Sequence, residues 1–319
     1  MKKKMFMMLC LTIMGMQVMM AQQSIIALHH EGKVTIFAGS KTQEAMDASV
    51  KGDTLYLSEG TFAGWNVTHG IVVLGSGERT VVSGNITITG NDEKKDLGGY
   101  VFSGLNLIHN FVVNDSVNGF KMTQCQMNNF SIIDGAFFDA GEIVMCHIKN
   151  VLELNGKEYG LDVISSKVRY FDFGGVNQGS VSFNHCNVES SVLHDYYPET
   201  TNDNFFHNCI VAWIRYSTWN NCLAAGIEEV YVFHTAKDCY KDTFTFDDKL
   251  NCSLPDDTLK ARGYLGDDGT VVGITGGEIP YTLELATPHI ADHKVDVDNV
   301  NRKLTVTLKM AHEATKEDE

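Results

Sequence analysis

Short segments of the form apolar-x-x-Z-x-apolar recur along the chain: FAGWNV, VSGNIT, FSGLNL, MTQCQM, IVMCHI, VISSKV, FNHCNV and FHNCIV. The column residues Z are Trp65, Asn85, Leu105, Cys125, Cys146, Ser166, Cys186 and Cys209, spaced by 20, 20, 20, 21, 20, 20 and 23 residues. Long amphipathic helical runs are missing, and the repeats are rich in Val, Ile, Phe, Thr, Asn and Gly. A period of this length built from strand-like residues predicts a solenoid with one coil per repeat. The Leu-x-x-Leu-x-Leu pattern of leucine-rich repeats is not what recurs. A parallel β-helix asks only for small or apolar inward residues alternating with polar outward ones, and that fits. Coils then stack at ~4.8 Å and equivalent positions form columns, in which Asn85 is tolerable through a hydrogen-bonded asparagine ladder.

Proline distribution agrees. The four prolines stand at 198, 255, 280 and 288, with none between 22 and 197. Proline cannot donate to a β ladder, so a long proline-free stretch suits strands paired on both sides. Before the first coil, the segment Ser40 to Gly64 (SKTQEAMDASVKGDTLYLSEGTFAG) carries helix start and stop signals. Ser40 or Thr42 is the expected N-cap, Glu44 lies in the first turn and Gly52 just past the end. After Pro280 the pattern changes, and NRKLTVTLKM (Asn301 to Met310) reads as a strand with apolar alternation at Leu304, Val306 and Leu308.

The Ser40–Gly64 segment, and GDDGTVVGITGG from Gly266 to Gly277, resemble the secreted bacterial right-handed parallel β-helix proteins of the pectin-lyase-like group. The resemblance covers roughly residues 33–280. It implies an all-β, right-handed parallel β-helix of roughly ten coils, with an N-terminal capping helix and Gly266–Gly277 as a closing coil. The expected organisation is a leader over 1–21, an N-terminal strand and capping helix over 22–53, the β-helix over 54–280, and a C-terminal β appendage with a charged tail over 281–319. This scaffold hosts lyases, hydrolases and adhesins, so the resemblance says little about activity.

Residues 2–4 are Lys-Lys-Lys, an apolar run follows from Met5, and the chain turns polar after Ala21. That is the form of a secretory leader, cleaved after Ala21. The expected location is extracytoplasmic: secreted, periplasmic or on the cell surface, with no membrane span after cleavage. Loss of the three leader lysines leaves 22 basic against 40 acidic residues. So acidic a chain is a poor nucleic-acid binder, because phosphate attraction needs basic surface.

Seven cysteines follow the leader. Four of them, Cys125, Cys146, Cys186 and Cys209, share the inward column, where a buried thiol serves as a small apolar side chain. The pairs Cys125–Cys146 and Cys186–Cys209 are the disulfide alternatives, and Cys222, Cys239 and Cys252 fall outside the register. The histidines are scattered and no C-x-x-C or H-E-x-x-H spacing occurs, so no transition-metal site is expected. The acidic segments GDDGT, DVDN and FDD leave loose Ca2+ binding open as the one cofactor, although none is a full EF-hand loop.

If Z points inward, Z+1 and Z+3 point outward. Two adjacent coils then place His147, Lys149, Lys167 and Arg169 on one face, a basic patch on an acidic protein. Glu142, Asp162, Asp172 and Glu189 are available to compensate it. Three function classes follow. The first is a non-catalytic glycan-binding or surface-interaction protein. The second is a polysaccharide lyase acting on uronates. By the resemblance, Lys167 or Arg169 would then be the base that takes the proton α to the carboxylate, and His147 and Lys149 would bind the substrate. The third is a structural or adhesive surface protein, with the patch as a solvated face. The paired-Asp, Gly-His-Gly and Arg-Ile-Lys motifs of the hydrolases of this fold are absent.

Overall fold

The computed structural model describes residues 24–89, 98–133, 136, 138–155, 160–173, 180–192, 204–213, 218–225, 236–284, 289–298 and 303–311. The expected leader and the charged tail lie outside these residues. Residues 1–283 form one unit and 284–319 a second. The larger unit is an all-β parallel solenoid of about seven turns.

Two long sheets line the solenoid. The first has twelve strands, beginning with the antiparallel pair Lys33–Ala38 and Ile25–His30. It continues through Thr54–Leu57, Val72–Leu74 and Gly98–Ser103, and ends at Ala236–Lys237, with parallel pairing from Thr54–Leu57 onward. The second has fourteen strands and is branched. In the early coils it has two lanes, represented by Gln126–Met127 and Asn129–Ile132. Both lanes pair with the single long strand His147–Leu154, the first with its beginning and the second with its end. A ladder of asparagines marks the corner between the lanes. Asn110 N–H donates to Asn85 Oδ1 at 3.1 Å, Asn129 Nδ2 to Asn110 Oδ1 at 2.8 Å, and Asn150 Nδ2 to Asn129 Oδ1 at 2.9 Å. Asn85 is therefore an exposed ladder residue, not an inward one.

The period of twenty reflects a sharp corner between the two sheets. Eight stacked corner residues have positive φ: Gly104 (64°), Gln124 (49°), Met145 (52°), Ser165 (45°), His185 (51°), Asn208 (56°), Asn221 (51°) and Asp238 (52°). The next residue in each coil forms the expected column from Leu105 onward, and Cys222 and Cys239 extend it. Parallel backbone bonds fix this alignment, with Leu223 N–H donating to Cys209 O and Tyr240 N–H to Cys222 O. The carbonyl two residues before the column residue accepts the amide of the corner residue in the preceding coil, as Ser165 N–H donates to Asn184 O at 2.9 Å and His185 N–H to His207 O at 3.1 Å. The column side chain adds a second bond to it. Cys125 Sγ–H donates to Thr123 O at 3.3 Å, Ser166 Oγ–H to Ile164 O at 2.8 Å, Cys186 Sγ–H to Asn184 O at 3.3 Å and Cys209 Sγ–H to His207 O at 3.0 Å. A small side chain with one donor suits this corner, and cysteine and serine recur there. Cys125, Cys146, Cys186, Cys209 and Cys222 are buried free thiols.

Trp65 belongs to a different column. It is buried opposite Ile86, which lies opposite Phe111, then Phe130, Leu152 and Phe171. These residues fill the interior with phenylalanines in contact, as in the stacked pair Phe111–Phe130 at 5.5 Å between centroids. The helix Thr42–Asp47 buries Ala45 and Met46 and packs on strands Trp65–Val67, Ile25–His30 and Lys33–Ala38. Its N-cap is Lys41 without a side-chain capping bond, so neither Ser40 nor Thr42 caps it.

Residues 242–284 do not add a coil to the stack. They run back across the outer face of the second sheet, through the helix Asp256–Ala261 and the isolated antiparallel bridges Phe246–Cys252 and Leu265–Val271. Beneath them lies a second apolar cluster of Ile210, Ala212, Leu223, Phe244, Leu259, Val271 and Val272. Gly266–Gly277 is thus part of a covering segment and not a closing coil.

The second unit is an antiparallel hairpin of His289–Asp298 and Lys303–Ala311. Its register sets Val297 opposite Leu304 and Val295 opposite Val306.

Candidate functional site

The residues directly after the corner column form a row across adjacent strands: Gln126 opposite His147, His147 opposite Lys167, and Lys167 opposite Asn187. The row faces away from the coil interior, as the alternation of strand side chains requires. It is nevertheless buried, at 7%, 7%, 6% and 1% exposure respectively, because residues 242–284 lie over it. The expectation of an open solvated face for His147 and Lys167 is corrected here. A returning segment with its own apolar cluster excludes water from them.

Each member of the row has a defined environment. Gln126 Nε2 donates to Glu78 Oε1 at 2.8 Å. Lys167 Nζ donates to Asn251 Oδ1 at 2.7 Å and stands 4.5 Å over the ring of Tyr281. Burial lowers the pKa of Lys167, Asp247 opposes that and Lys249 adds to it. Asn187 Nδ2 donates to Leu250 O at 2.9 Å, and Ile274 N–H donates to Asn187 Oδ1 at 3.4 Å. His147 Nε2 is buried with no hydrogen-bond partner among the described residues. Burial first, then the charges of Lys167, Lys149 and Arg169, push the His147 pKa down to about 4, so the ring is neutral at pH 7.

Lys149 and Arg169 lie one step further along. A bulge between Ile148 and Val151 sets residues 149 and 150 against the single residue 169. Arg169 Nη2 donates to Asp248 O at 3.0 Å, and its Nε is 3.3 Å from Glu189 Oε2. Lys149 is half-buried and makes no hydrogen bond or ion pair among the described residues. Burial lowers its pKa, and Glu78 partly restores it. All four basic residues therefore come together. Of the expected compensating acids, Glu189 is in place. Glu142 and Asp162 sit opposite each other on the first sheet, with Glu142 paired to Lys121 at 2.7 Å.

Two corner residues secure the covering segment. His185 Nε2 lies 2.9 Å from Asp268 Oδ2, and Asn208 Nδ2 donates to Asp267 Oδ1 at 2.8 Å. Both carboxylates of the GDDGT segment thus face protein donors, and Asp247 of FDD accepts from the amides of Lys249 and Asn251. Among the described residues no three His, Cys, Asp or Glu side chains converge as for a metal ion. Trp65 and Trp219 are core residues and Tyr170 is half-buried, so none of the three offers an open face for stacking on a sugar ring.

Sequence reasoning missed Asn251, Tyr281 and Leu250, which hold the row from above, and the contact of Asp268 with the corner residue His185. Their only signal was the irregular composition of 242–284, with its Asp-Asp pairs and glycines. Compared with protein-family models, curated proteins and solved structures, the chain matches none. No helix among the described residues is long and apolar enough to cross a membrane.

Proposed function

We propose that the chain is an exported, non-catalytic parallel β-helix protein that binds an anionic glycan beside the Lys149–Arg169 end of the basic row. The same reading takes the coil as right-handed with roughly ten coils, the Thr42–Asp47 helix as its N-terminal cap, and the residues after 283 as an appendage, since Tyr281 belongs to the covering segment. The observation that carries the binding reading is Lys149, a half-buried ammonium without a hydrogen-bond acceptor among the described residues, next to the Arg169 guanidinium on a chain of net charge −15. Such a group gains from an anionic ligand what the protein does not supply. Lys167 and Arg169 already donate to Asn251 and Asp248, an arrangement suited to holding the covering segment rather than to abstracting a proton.

A uronate lyase is the second reading. It is favoured by the burial that lowers the pKa of Lys167 toward that of a usable base. Titration calorimetry with a polyuronate separates the two. Binding that weakens with salt, is lost in K149A/R169A and produces no ultraviolet-absorbing unsaturated ends supports the module. Appearance of those ends, and their loss in K167A, reassigns the chain to the lyases. No binding across a panel of acidic and neutral glycans overturns both and leaves a structural surface protein.

A further inference from the structure

Cys186, Cys209, Cys222 and Cys239 occupy four consecutive coils of the corner column. Ile210 N–H donates to Cys186 O at 2.9 Å, Leu223 N–H to Cys209 O at 2.9 Å and Tyr240 N–H to Cys222 O at 2.8 Å. Neighbouring parallel strands bring the Cα atoms to ~4.8 Å, inside the span of a disulfide. Ser166 interrupts the column and separates these four from Cys125 and Cys146. The first three are fully buried, whereas Cys239, at the end of the run, is partly exposed. An oxidant in solution therefore meets Cys239 first. Cys222 Sγ–H donates to Phe206 O at 3.2 Å and to Asn220 O at 3.3 Å, and Cys239 Sγ–H donates to Lys237 O at 3.4 Å, so the two thiols of these adjacent coils take up the same corner geometry. Cys222 stands directly behind the thiol that solvent reaches.

We propose that Cys222 and Cys239 are a redox pair that closes a disulfide between adjacent coils, with Cys239 as the entry thiol and Cys222 as the resolving thiol. With a low-molecular-weight disulfide such as oxidised glutathione, the Cys239 thiolate attacks one sulfur and expels one glutathione thiolate. A mixed disulfide at Cys239 results. The Cys222 thiolate then attacks Cys239 Sγ and expels the second glutathione. Two protein thiols are oxidised, one glutathione disulfide is reduced to two thiols, and the two protons pass to the leaving thiolates. The product ties two adjacent coils of the stack together. Cys209 and Cys186, buried away from solvent, stay reduced.

The full-length protein, incubated with oxidised glutathione, alkylated and digested without reduction, tests this by mass spectrometry. The expected result is a peptide linking Cys222 to Cys239, with two free thiols lost and the apparent Tm raised. C222S should stop at the mixed disulfide on Cys239, and C239S should keep its remaining thiols free. A mixed disulfide that persists on Cys239 in the wild type overturns the proposal, as does an unmodified Cys239 or a link from Cys239 to Cys252.

Discussion

Acidification should weaken this fold through His147, by an amount the structure sets. The ring is buried, its Nε2 has no hydrogen-bond partner among the described residues, and three cations lie near it, so its pKa falls from 6.5 to about 4 on folding. As pH drops below 6.5 the unfolded chain takes up a proton on this ring while the folded chain resists. The stability tied to the neutral ring is thus complete above pH 6.5 and is lost progressively down to about pH 4. At ~1.4 kcal/mol per pH step, the window is worth roughly 3 kcal/mol. Urea unfolding of the wild type and His147→Gln at pH 7.5, 5.5 and 4.5 isolates the effect, because the carboxylates that titrate nearby are common to both. The variant should lose less stability than the wild type between pH 7.5 and 4.5, by about that amount. Equal losses would refute the burial of His147 beneath residues 242–284.

Lys167→Ala removes a charge-assisted hydrogen bond to Asn251 and the contact with Tyr281, for a loss of ~2–3 kcal/mol, while Lys149→Ala should stay within ~0.5 kcal/mol. Equal effects in thermal melts would show that the covering segment is not held by Lys167. Cys186→Asp buries a carboxylate in the corner and should cost several kcal/mol, whereas Cys186→Ser, which keeps a donor for Asn184 O, should cost ~1 kcal/mol or less. If Cys186→Asp melts with the wild type, the column does not face the interior.

The parallel solenoid was legible because a corner repeated every coil imposes one residue type, and Cys125, Cys146, Ser166, Cys186 and Cys209 carry that imprint. Where the imprint was weak the phase slipped. Trp65 and Asn85 matched the spacing but sit in the other lane, one in the aromatic interior and one in the asparagine ladder. Cys222 and Cys239 were left out because their coils are shorter, 13 and 17 residues against about twenty. The four basic residues were brought together by register alone. Their burial was not legible, since it depends on a segment about eighty residues away whose contacts follow no period. Lys167 meets Asn251, and His185 meets Asp268.

Stacked coils on their own form a one-dimensional array, in which each repeat feels only its neighbours and the ends can melt while the middle persists. The segment over 242–284 changes that statistics for part of the array. It ties coils through Lys167, His185, Asn187 and Asn208 to one continuous stretch of chain, so none of these coils can open without breaking contacts shared with the others. The block from about residue 147 to 224 should therefore exchange its amide hydrogens as a single cooperative unit. The coils around Trp65 and Ile86, which lack such a tie, retain the graded opening of an ordinary repeat array.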